Sequence, residues 1–139
     1  MTSAPFRFAL GLAAVWWIAL VTLVLYASNP VTLNAVQLKI ADAIVTARLV
    51  DPAAGKLDVD KEWTGRRGIE TLQLDPQLFA DAPAESTWLI PLSRTAEDRY
   101  QVTQAVIKNS RGESVVQPPY VYRWNDDSQE QLEAFLARK

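Results

Sequence analysis

The chain has 139 residues, with 14 Lys and Arg against 16 Asp and Glu, and it contains neither cysteine nor histidine. The first absence removes disulfide and thiol chemistry; the second removes the usual proton shuttle near neutral pH and the commonest ligand for zinc, copper or haem iron. A formal net charge of −2 with both signs well mixed leaves no electrostatic footprint for nucleic acid.

Residues 8–27, FALGLAAVWWIALVTLVLYA, carry no charge. As a helix they extend about 30 Å, the hydrocarbon thickness of a bilayer, so a single-pass transmembrane helix is expected there. A cleaved secretory signal fits less well, because cutting after Ala27 leaves Leu25 at the third place back and cutting after Ser28 leaves Tyr26. Arg7 and the amino terminus supply positive charge before the segment, and Lys39 is the first basic residue beyond it. The expected topology is a signal-anchor in the cell membrane, with 1–7 cytoplasmic and the rest extracytoplasmic.

Residues 28–33, including Pro30, read as a linker, and 34–139 as one domain. TLNAVQLKIADA is a brief helix with Asn34 and Gln37 at capping-box spacing. AIVTARLV, 43–50, is a strand that ends at the turn formers Pro52 and Gly55. KLDVDKEWTG alternates, placing Leu57, Val59, Lys61 and Trp63 on one side and Asp58, Asp60 and Glu62 on the other. Three acids on a straight strand supply too few oxygens for a hard cation, so the expectation is a solvated sheet face and no metal site.

TGRRG then connects to IETLQL, 69–74, and DPQLFADAPAE offers one helical turn that holds Leu78 and Phe79 inward. STWLIPL, 86–92, reads as a buried central strand with Pro91 near its end. RYQVTQAVIK, 99–108, and ESVVQ are joined by the turn NSRG as a hairpin, and YVYRW follows in extended form. NDDSQEQLEAFLARK is the closing helix, with Ser128 and Gln131 as its capping box and Leu132, Phe135 and Leu136 on its apolar side.

The fold class expected is mainly β with terminal helices: the transmembrane helix, a small antiparallel OB-like barrel, and a C-terminal helix. The succession ADAIVTARL, KEWTG, STWLIPL and RYQV, covering about residues 41–105, resembles netrin-like and metalloproteinase-inhibitor-like OB-fold domains. That resemblance implies a barrel scaffold. Those inhibitors act through disulfides and an N-terminal cysteine, which this chain lacks, so no functional residue carries over.

The expected function is a non-catalytic, membrane-anchored extracytoplasmic binding domain or accessory subunit, partnered by the lipid bilayer and another membrane or envelope protein. No cofactor is implied. Two candidate surfaces stand out. Tyr120, Tyr122 and Trp124 fall on one side of an extended segment and form either an adhesive patch or a packing surface beneath the terminal helix. Arg66 and Arg67 have the chemistry to grip an anion bidentately. The alternative is a hydrolase or an inhibitor-like barrel binding an anionic ligand. A nucleophile among Ser86, Ser93 and Ser114 would need a Lys or carboxylate base, and no Gly-x-Ser-x-Gly elbow is present.

Overall fold

The computed structural model describes residues 4–27 and 32–139, with side-chain environments from 9 to 25 and from 32 onward. The chain divides into two units, Met1–Pro30 and Val31–Lys139. The first holds α1 (Ala4–Ala27), in which the Thr22 hydroxyl donates to the Ile18 carbonyl at 2.8 Å. The transmembrane expectation over 8–27 is corrected, together with the single-pass signal-anchor and the cell-membrane localisation built on it. Among the described residues no helix is long and apolar enough to cross a membrane. The linker expected at 28–33 falls mainly outside the described residues.

The second unit begins with α2 (Ala35–Ile40), whose N-cap Asn34 accepts from the backbone of Val36 and Gln37 at 3.1 and 3.3 Å. The strands follow in order: β1 (Ala43–Asp51), β2 (Lys56–Thr64), β3 (Thr71–Gln73), β4 (Thr87–Arg94), β5 (Tyr100–Val102), β6 (Val106–Lys108), β7 (Ser114–Val116) and β8 (Tyr122–Arg123). A 3-10 turn, Pro76–Phe79, lies between β3 and β4, and α3 (Asp126–Ala137) closes the unit. The main sheet is antiparallel in the order β3-β2-β1-β4-β5, with β8 also paired to β4, while β6 and β7 make a separate ribbon.

The central strands β1 and β4 are apolar on both faces because both faces are covered. Inward, Ala43, Val45, Ala47 and Leu49 of β1 meet Leu57, Leu72, Phe79, Ile90 and Leu92. Outward, Ile44 and Leu89 pack with Leu38, Tyr122 and Leu132, so α2 and α3 cover that side. The β1–β2 turn needs Gly55: its φ is +66°, and a Cβ there would run into the Leu74 carbonyl.

The OB-like barrel is also corrected. The sheet is open, since among the described residues β3 pairs only with β2 and β5 only with β4. Five antiparallel strands in a row leave the two end strands running in the same direction, so they cannot complete an antiparallel closure. Each is also only three residues long.

Three local expectations change as well. The register of β2 on β1 shifts three times, between Leu49 and Asp51, between Thr46 and Ala47 and between Ile44 and Val45; the last two place Val59 opposite Ala47, Lys61 opposite Thr46, Glu62 opposite Val45 and Thr64 opposite Ile44. Bulges at Asp60 and Trp63 therefore break the simple alternation, and Trp63 packs in the outer cluster while Leu57 and Val59 pack in the inner one. The strand expected over 99–108 is split into β5 and β6. The cap of α3 is Asn125, whose side chain accepts from Ser128 N at 2.8 Å while the Ser128 hydroxyl accepts from Asn125 N at 2.9 Å, so Ser128 closes the box from inside the helix.

Candidate binding surfaces

Arg66 and Arg67 sit on an exposed loop in which Arg66 adopts φ 49° between Gly65 at 101° and Gly68 at 67°. The anion this loop already holds is internal. The Glu62 carboxylate accepts from the backbone N–H of Arg67 at 2.6 Å, Gly68 at 3.0 Å and Ile69 at 3.4 Å. The guanidinium groups thus extend from a loop whose own amides are turned inward to a carboxylate.

The aromatic trio is dispersed. Tyr120 is exposed, Tyr122 is buried, and Trp124 lies half-buried and tilted against Trp63 with ring centroids 5.5 Å apart. Lys61 places its Nζ 3.5 Å from the Trp63 ring centre, a cation–π contact. The Tyr122 hydroxyl donates to Gln37 Oε1 at 2.6 Å and accepts from Asn34 N at 3.1 Å. The Gln37 amide in turn donates to the carbonyls of Thr103 at 2.7 Å and Tyr120 at 2.8 Å. One buried side chain therefore ties α2 to three points of the later chain. Burial pushes the Tyr122 phenol above its ordinary pKa of 10.0, against the lowering effect of the Asn34 N–H, and the neighbouring Tyr120 raises it further.

Asp58, Asp60 and Glu62 do not converge, and among the described residues no group of three or more His, Cys, Asp or Glu is placed to hold a metal ion. Of the candidate nucleophiles, the Ser86 hydroxyl donates to the Pro83 carbonyl at 2.6 Å and accepts from the Trp88 indole at 2.8 Å. Ser93 and Thr103 share a hydrogen bond of 2.7 Å. Ser114 lies opposite Lys108 in the β6–β7 ribbon with both exposed, so nothing there excludes water.

Two features emerge only in three dimensions. The first is the β6–β7 ribbon, where Val106 pairs with Val116 and Ile107 with Val115, on opposite faces. All four remain exposed, at 52%, 57%, 38% and 42% respectively. Adjacent apolar residues in both strands, VI and VV, were the available signal, but such runs normally mark a strand covered on both sides. The second is the seam between β3 and β5, lined from both strands by Gln73, Leu74, Tyr100 and Val102 around a cleft of about 240 Å³. No family model matches the chain, and searches of curated proteins and of solved structures returned no match either.

Proposed function

We propose that residues 32–139 form a non-catalytic binding or accessory domain that docks another protein through the β6–β7 ribbon. The observation that carries this reading is the exposure of Val106, Ile107, Val115 and Val116 on both faces of a ribbon that, among the described residues, pairs with no other strand. A two-stranded ribbon is marginal in water by itself, and its aliphatic groups gain nothing until something covers them. Covering their exposed parts is worth about 1 kcal/mol each. The tip, with Lys108, Asn109 and Arg111, supplies the polar rim that surrounds an apolar contact in protein interfaces. An anionic ligand held by Arg66 and Arg67 has no comparable observation behind it.

The test is affinity purification of the tagged full chain from its native source, with wild type compared against the double variant V106S/V116S. The expected result is one stoichiometric companion protein with wild type, lost in the variant while the melting temperature is unchanged. Equal recovery from both chains, or no companion with wild type, counts against the reading.

A further inference from the structure

The row of strands β3-β2-β1-β4-β5 ends in two free edges, and the direction of the backbone groups on each edge follows from the bonds already made. Val59 N donates to the Glu70 carbonyl at 2.8 Å and Leu74 N to the Gly55 carbonyl at 2.9 Å. With Leu72 opposite Leu57 between them, Glu70, Leu72 and Leu74 turn their backbone groups toward β2. Thr71 and Gln73 therefore turn theirs outward. On the other side, Thr95 N donates to the Arg99 carbonyl at 2.7 Å and Thr103 N to the Pro91 carbonyl at 2.9 Å, so Arg99, Gln101 and Thr103 face β4. Tyr100 and Val102 turn outward.

These two outward rows do not look into open solvent on unrelated sides of the molecule. Both line the same cleft, and a neighbouring hollow of about 220 Å³ continues it past Thr71 and Arg99. We propose that this seam takes up one extended strand of a partner protein, running antiparallel to both β3 and β5 and closing the sheet. A strand has backbone donors and acceptors along both edges, so it satisfies both rows at once; a helix or a small ligand does not. Direction agrees with this. Since β3 and β5 run the same way, a sixth strand of opposite direction is antiparallel to both neighbours and makes the ring all-antiparallel, which five strands cannot be.

The surroundings specify the chemistry of that strand. On the inner side the seam presents Leu74, Leu78, Tyr100 and Val102, and on the outer side Gln73 and Gln101, so the incoming strand alternates apolar and polar residues. A strand antiparallel to β3 starts beside Asp75 and ends beside Arg99, which are exposed at opposite ends of the seam. A basic first residue and an acidic last residue complement them. This site is independent of the β6–β7 ribbon.

The experiment adds the capped peptide acetyl-Lys-Thr-Val-Thr-Val-Glu-amide to the full chain and follows amide hydrogen exchange. Protection of Thr71, Gln73, Tyr100 and Val102 together is expected, with about tenfold weaker binding when one central peptide nitrogen is methylated. The variant Thr71→Pro removes an outward N–H that pairs with nothing in β2, so it should weaken the peptide while leaving the melting temperature near that of wild type. Peptide binding should be unchanged in V106S/V116S, which separates this site from the ribbon. Protection on one strand only, equal binding of the methylated peptide, or no binding overturns the proposal. Should Thr71→Pro fail to fold, the methylated peptide still decides.

Discussion

On the inner face of β1, Ala43, Val45, Ala47 and Leu49 are wholly buried among aliphatic side chains and Phe79. On its outer face, Ile44 shares a cluster with Tyr122, with Leu132 of α3 and with Leu38 of α2, the helix that is tied down through the Gln37 amide. The inner layer needs only volume and pattern, and many aliphatic combinations meet that need. The outer layer is directional: the Gln37 amide nitrogen donates to two carbonyls while its oxygen accepts from the Tyr122 hydroxyl, and none of the buried side-chain polar atoms among the described residues is left without a partner. Tolerance to substitution should therefore differ sharply between the two faces even where burial is equal.

The largest test of that contrast is on the inner face, where Leu49→Ala or Ile90→Ala should destabilise by about 2–5 kcal/mol in denaturant unfolding, through lost transfer energy and a residual cavity. A swap of Leu49 to Met should cost less than about 1.5 kcal/mol, because volume is retained. On the outer face the conservative swap should fail. Gln37→Leu keeps approximate size but leaves the carbonyls of Thr103 and Tyr120 without their donor and the Tyr122 hydroxyl without its acceptor, and should cost about 2–3 kcal/mol.

Tyr122→Phe is smaller, about 1 kcal/mol, and it carries a pH signature. Burial raises the folded-state pKa of this phenol above the ordinary 10.0. Above pH 10 the unfolded chain therefore loses the proton first, and the stabilisation, complete below that pH, declines as pH rises toward the folded value. Unfolding midpoints at about pH 9 and about pH 11 should fall more for wild type than for Tyr122→Phe. The smallest stability effect belongs to V106S/V116S on the ribbon, within about 0.5 kcal/mol, because those side chains have little packing to lose.

Much of the inner layer was legible in the residues. AIVTARLV announced a strand and STWLIPL a buried central one, and the turn at Pro52 and Gly55 lies between β1 and β2 as expected. The path of β2 was not legible, because a bulge depends on which residues the partner strand places opposite. Asp60 and Trp63 carry no local mark of it, yet they decide that Trp63 reaches Trp124 and that Glu62 closes the arginine loop. Near α3, NDDS offers more than one cap, and the structure uses Asn125 with Ser128 in the same box. The break between β5 and β6 sits where the Thr103 carbonyl turns to Gln37, a residue 66 positions away.

Among the candidate residues, Arg66, Arg67, Tyr120, Tyr122 and Trp124 were chosen by chemistry, and the tertiary structure separates them by environment. The seam was invisible in the sequence for a different reason: it is made of backbone groups, which every residue except proline carries alike.

The amino-acid sequence by itself determined what is local and periodic: the helical course of α1, the placement of most strands and turns, and the exclusion of thiol and imidazole chemistry. Tertiary structure alone decided which strand edges stay unpaired, where β2 changes face, and which aromatic groups reach water. Those outcomes depend on pairings between segments far apart in the chain, and neither a side chain's type nor its spacing encodes the partner it will meet.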